Sequence, residues 1–186
     1  MRLTFSFFSI LLFCSCTNNQ LAKDVAQFMG QQITLPLDMH TILKGKDTVL
    51  TGFTEIPIKL LVWYDPFVCA SCQVSKMYEW NDIVFSADSL SQWFKIVFLF
   101  TPKQEDLHTI KVSLRADRFN YPIFIDQNAT FVNQNPKLPK NRLLHCFLLD
   151  RNNKVVLVGS PLHNPVLWEF YNNIIQKMID NNGVLP

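Results

Sequence analysis

Residues 58–72 read Ile58-Lys59-Leu60-Leu61-Val62-Trp63-Tyr64-Asp65-Pro66-Phe67-Val68-Cys69-Ala70-Ser71-Cys72. The stretch Ile58–Tyr64 is almost continuously apolar and of strand length, the pattern of a central strand buried on both faces. Asp65-Pro66-Phe67 breaks it. A helix is expected from about Ala70 to Phe85, with Val74, Met77, Tyr78 and Val84 supplying an apolar face at helical spacing. Two cysteines separated by two residues therefore sit where a buried strand gives way to an amphipathic helix.

Working outward, residues 87–94 are expected as a short second helix. Lys95–Phe100 (KIVFLF) is a second buried strand, ended by Thr101-Pro102. Gln104–Arg118 carries Leu107, Ile110 and Leu114 on one side of a helix. Tyr121–Ile125 is a short strand, and residues 126–142 form a loop with one turn of helix. Leu143–Leu149 and Lys154–Gly159 are strands joined by Asp150-Arg151-Asn152-Asn153, a hairpin turn of residues that tolerate left-handed backbone. Asn164-Pro165 opens a last helix, and Gly183 lies past its end. Towards the N-terminus, residues 38–55 are polar and turn-rich, Ile33–Leu37 is a short extended piece, and residues 21–30 form a short amphipathic helix. Alternating strands and helices imply an α/β fold with a largely parallel centre, and the closing hairpin makes the sheet mixed.

The 186 residues suit one domain. With 48% hydrophobic and 17% charged residues this is an ordinary folding composition. The net charge of +2 is spread without a basic run, which gives no electrostatic case for nucleic acid.

Met1-Arg2 followed by the apolar stretch Leu3–Phe13 fits a signal segment, too short for a permanent span. Phe13-Cys14-Ser15-Cys16 resembles a bacterial lipobox, which implies lipidation of Cys16. The resulting expectation is a leader over residues 1–15, a tether and N-terminal helix over 16–30, and the folded domain over 31–186. An acyl chain on Cys16 would hold the protein to a membrane surface. Without the leader, Cys69, Cys72 and Cys146 remain: one close pair, and one isolated cysteine read as a small buried hydrophobe.

Two stretches carry a specific resemblance. Ile58–Tyr64 with Cys69-Ala70-Ser71-Cys72, and Phe147-Leu148-Leu149-Asp150-Arg151-Asn152-Asn153-Lys154-Val155-Val156, resemble the thioredoxin superfamily, and most closely its TlpA-like extracytoplasmic lipoproteins of the Bacteroidetes type. The resemblance covers roughly residues 30–182, mostly through the order of elements. It implies a thioredoxin-like fold: a mixed central β-sheet flanked by helices. It also implies thiol–disulfide exchange at Cys69 and Cys72 with no bound cofactor, and a place in the cell envelope on the periplasmic face. Its partners would be thiols and disulfides of exported proteins and a membrane donor of reducing equivalents. Pro66, Val68, Leu144 and His145 become candidate neighbours of the pair. Val68 stands where the family has tryptophan, and Leu144 where it has a cis-proline. No counterpart of the family's buried acidic residue is legible, because Asp65 and Glu79 read as turn and helix-surface residues.

The chemistry of the pair follows from its position. Helix N-termini present unpaired N–H groups that favour thiolate, and thiolate is the nucleophile. Cys69 would attack a partner's disulfide and Cys72 would resolve the mixed disulfide. Two other readings stay open at this point. A lone CxxC is also half a zinc site, but tetrahedral zinc needs about four ligands, and His40, His108, His145, His163 and Cys146 are scattered singly. No metal is expected. The pair can also be a structural staple in a thioredoxin-fold binding protein. A peroxiredoxin-like peroxidase would want Thr or Ser three residues before the reactive cysteine, and Pro66 stands there instead.

Overall fold

The computed structural model describes residues 14–37, 39–117 and 119–186. Of the leader expected over residues 1–15, residues 1–13 lie outside them. The elements in chain order are α1 (Cys14–Phe28), β1 (His40–Leu43), β2 (Lys46–Thr48), β3 (Ile58–Tyr64), α2 (Ala70–Val74), α3 (Asn81–Asp88) and β4 (Phe94–Phe100). They continue with α4 (Leu107–Ala116), β5 (Ile123–Ile125), α5 (Thr130–Gln134), β6 (Cys146–Leu149), β7 (Val155–Val158) and α6 (Pro165–Asp180). Among the described residues the strands form one sheet of order β2-β1-β5-β4-β3-β6-β7. Strand β3 runs parallel to β4, which runs parallel to β5, while β6 and β7 close one side antiparallel. The mixed α/β sheet expected from the sequence is the one observed. No described helix is long and apolar enough to cross a membrane.

The pleat of β3 sorts the core. Ile58, Leu60 and Val62 join Ala70, Val74, Met77, Ile110, Leu114, Tyr171, Ile175 and Met178 on one face. Leu61 and Trp63 join Phe28, Ile33, Leu35, Phe131, Phe147 and Leu149 on the other. Alternate residues of a strand point to opposite faces, so a strand apolar at nearly every position must be covered twice.

Several boundaries differ from the sequence reading. Helix α1 starts at Cys14, so it includes Cys16 and the polar stretch Thr17–Gln20 expected as a tether. Residues 40–48 form a hairpin and not a loop. Its turn residues Lys44 and Gly45 both take positive φ, 52° and 69°, the geometry of a two-residue turn that matches strand twist. A Cβ on Gly45 would sit 2.3 Å from the Lys111 carbonyl oxygen, so only glycine fits.

The single helix expected over 70–85 is three pieces: α2, a 3₁₀ turn at Met77–Trp80, and α3. Ser75 Oγ donates to the Cys72 carbonyl (3.0 Å) and Lys76 N–H to the Gln73 carbonyl (3.0 Å), so i→i+3 contacts displace the helical ladder there. Residues 89–93 are a turn, not a short helix, and lead directly into β4. Strand β6 starts at Cys146 because Arg142–Leu144 makes a 3₁₀ turn capped by Asn141 Oδ1. The single helical turn expected within 126–142 is α5, whose first amides donate to the Asp126 carboxylate.

Lys59 interrupts the apolar run of β3 and is 2% exposed. Its ammonium donates to the Ile56 carbonyl (2.7 Å), and burial pulls its pKa from 10.5 down to about 8, opposed by the charge of Asp150. Between those values the unfolded chain binds more protons than the folded one, so this group's contribution to stability rises with pH across that window. Lys59→Met is expected to stabilise the fold at pH 7 by about 1–3 kcal/mol, because a buried charge gives way to an apolar chain of similar length. It is also expected to flatten the pH dependence above pH 8. Urea unfolding of both proteins at pH 7 and pH 9.5 measures this, and a destabilised variant at pH 7 would contradict it.

Candidate functional site

Strand β3 ends at Tyr64, and a tight turn follows at the C-terminal edge of the sheet. Val68 N–H donates to the Asp65 carbonyl (3.2 Å), and Phe67 N–H donates to Asp65 Oδ1 (2.8 Å). An aspartate followed by proline favours this geometry, since the carboxylate can bond its own backbone two residues on. The turn delivers Cys69 as the N-cap of α2, in extended backbone. Helix α2 is fixed by Ala70 and Val74, both buried against the β3 face that carries Val62.

Cys69 and Cys72 form a disulfide with Cα atoms 5.2 Å apart. Cys72 N–H donates to Cys69 Sγ (3.2 Å), and Ser71 Oγ lies 3.5 Å from the same sulfur. The first-turn amides of a helix lack intrahelical acceptors, and here one of them serves the Cys69 sulfur. Both cysteines are exposed. Pro66, Phe67, Val68 and Cys69 line an open cleft of about 370 Å³ whose opposite wall is Lys103, Glu105 and Asp106. Phe67 is 83% exposed at its rim.

Among the other candidate neighbours, Pro66 and Val68 reach the cleft. Leu144 is buried, and its N–H donates to the Asn141 carbonyl (3.0 Å). No peptide bond among the described residues is cis. His145 does approach the turn. Its carbonyl accepts Trp63 N–H (2.8 Å), its ring packs tilted against Trp63 with centroids 4.2 Å apart, and its Nε2 lies 2.9 Å from the Pro139 carbonyl. A carbonyl only accepts, so Nε2 carries the proton. Nδ1 then lies 3.7 Å from Asp65 Oδ2.

Asp65 corrects the sequence reading. It is a turn residue, yet buried, and Arg142 Nε donates to its Oδ2 (2.8 Å). The local sequence could not show this, because Arg142 is 77 positions away. The clue was the polar residue directly ending a strand buried on both faces. Glu79 is half-buried and accepts from His163 Nε2 (2.9 Å). Cys146 is a free, buried thiol whose pKa burial pushes up to about 12. Among the described residues no group of three or more His, Cys, Asp or Glu side chains is arranged to hold a metal ion.

The sequence matches no protein-family model and none of the curated proteins. Solved structures do match. A conserved protein of unassigned role from Geobacillus kaustophilus superposes with TM-score 0.55 at 14% identity, over 85% of each chain. A protein assigned as the thiol:disulfide interchange protein DsbE from Chlorobium tepidum superposes with TM-score 0.51 at 14% identity, over 79% of this chain and 97% of that one. AhpC of Enterococcus faecalis superposes with TM-score 0.51 at 12% identity, over 81% and 95%. At these identities the similarity establishes the fold. The chain has the thioredoxin-like fold. Within that fold it is a protein with an exposed CxxC disulfide at the first helical turn after a central strand.

Burial is the main cause that holds the His145 imidazole below its ordinary pKa of 6.5, with Pro139 and Asp65 opposing and Arg142 assisting. As pH falls through 6.5 the unfolded chain takes up a proton that the folded chain resists, so stability is lost on acidification. His145→Gln, which keeps a donor for the Pro139 carbonyl, is expected to flatten this loss between pH 7 and pH 5. Thermal unfolding across that range measures it, and parallel profiles for the two proteins would contradict it.

Proposed function

We propose that this chain is a thiol–disulfide oxidoreductase of the extracytoplasmic, TlpA-like kind, anchored by a lipid on Cys16 and working on thiols and disulfides of exported proteins. The observation that carries the reading is the exposed Cys69–Cys72 disulfide with the Cys72 amide aimed at Cys69 Sγ. In the reduced form that amide donates to a Cys69 thiolate, which makes Cys69 the nucleophile. The Cys69 thiolate attacks one sulfur of a partner's disulfide, forming a mixed disulfide and releasing the other partner sulfur as thiolate. The Cys72 thiolate then attacks Cys69 Sγ, the Cys69–Cys72 bond forms, and the partner's second sulfur leaves. Two electrons pass to the partner, and a reductant on the membrane side would restore the dithiol. The exported setting rests on the signal-like Leu3–Phe13 and the lipobox-like Phe13–Cys16, and it suits a pair that persists as a disulfide.

One observation favours a second reading. Leu144 stands where the resemblance implies a cis-proline, and no described peptide bond is cis. On that reading the fold is a binding module and the disulfide a staple. Turnover separates the two. With dithiothreitol as donor, the purified chain is expected to reduce insulin disulfides. Cys69→Ser is expected to fall to background, and Cys72→Ser to accumulate a mixed disulfide through Cys69. Absence of turnover in the parent chain would sink the oxidoreductase reading and leave the staple.

A further inference from the structure

The turn that carries Cys69 and the loop that precedes β6 are joined through a single carboxylate. Asp65 Oδ1 accepts Phe67 N–H (2.8 Å), two residues before Cys69. Asp65 Oδ2 accepts Arg142 Nε–H (2.8 Å) and faces His145 Nδ1 at 3.7 Å. His145 is itself fixed from three sides, by the Trp63 ring, by Trp63 N–H on its carbonyl and by the Pro139 carbonyl. The carboxylate is 7% exposed, whereas the Arg142 side chain is 53% exposed. Loss of the guanidinium would therefore leave a buried carboxylate short of a charged partner without removing core volume.

We propose that Asp65 and Arg142 are positioning residues that clamp the Cys69 turn to the 139–145 loop and hold the two sulfurs of the pair within bonding reach in both redox states. This rests on the oxidoreductase reading only for its use in turnover. The clamp itself is a statement about the disulfide. Its physical content is preorganisation. If the turn is held when the S–S bond is open, closure costs little conformational freedom, and the effective concentration of one thiol at the other is high. Leu144 supplies no cis peptide to shape this loop, so side chains across the edge of the sheet do so.

The test is the equilibrium between the pair and dithiothreitol. One dithiothreitol molecule gives up two electrons and two protons to the Cys69–Cys72 disulfide, yielding the Cys69/Cys72 dithiol and oxidised dithiothreitol. Acid quenching, alkylation and mass spectrometry read the ratio in the full chain. Arg142→Ala is expected to shift it towards the dithiol by at least about threefold, the scale of one partly exposed charge-assisted hydrogen bond. Asp65→Asn is expected to shift it in the same direction. Arg142→Lys, which keeps the charge, is expected to stay within about twofold of the parent. A purely architectural role for Arg142 would weaken both redox forms alike and leave the ratio unmoved. An unmoved ratio in Arg142→Ala would overturn the clamp, as would a lysine variant displaced as far as alanine. Insulin turnover, measured on the same samples, reports separately on the oxidoreductase reading. A shifted ratio without turnover keeps the clamp and removes the enzyme.

Discussion

Strand β3 is hydrogen-bonded on both sides, parallel to β4 and antiparallel to β6, and its side chains are buried on both faces. A strand so enclosed has no free edge and no free face, and polar backbone inside such a core must find its partners in the ladder. Its only exit is its C-terminal end. Tyr64 is its last residue, and Asp65 begins the turn that brings Cys69 to the surface four positions later. The Cys69–Cys72 pair and the groups that hold its turn are arranged around that exit.

The pleat of the same strand divides the work. Ile58, Leu60 and Val62 face the layer in which Ala70 and Val74 anchor α2, so that face holds the cysteines. Leu61 and Trp63 face the other layer, and Trp63 there packs tilted against His145, which faces Asp65 at the strand end. That face holds the loop opposite the cysteines. Trp63 also donates from Nε1 to Thr101 Oγ1 (3.1 Å) at the end of β4, so its ring is fixed at both edges of the site. The disulfide is exposed, whereas Trp63, Asp65 and His145 beside the turn before it are buried. Rigid parts thus lie beneath a reactive pair that a partner can reach.

The sequence carried the parts whose cause is local. Continuous apolar runs gave β3 and β4, the Asp150–Asn153 turn gave the β6–β7 hairpin, and Asn164-Pro165 opened α6. Asn164 indeed caps it, accepting Leu167 N–H through Oδ1 (3.0 Å). What it did not carry has distant causes. The β1–β2 hairpin is short and polar, and it gains its place by pairing β1 with β5, some 80 residues on. The break after α2 turns on one serine hydroxyl, which competes with a helix that the apolar spacing alone would continue. Asp65 looked like a turn-former and is one, but its buried carboxylate is paired with Arg142, and no local pattern announces a partner at that separation.

Both cysteines are exposed, so any difference in their reactivity reports chemistry and not access. That difference follows from the Cys72 amide, which points at Cys69 Sγ. The direct measurement is the alkylation rate of each thiol by iodoacetamide in the freshly reduced chain at pH 7, resolved by mass spectrometry. Cys69 is predicted to react several-fold faster, by about the factor that one amide donated to a thiolate provides. Equal rates, or a faster Cys72, would contradict the assignment of Cys69 as the nucleophile.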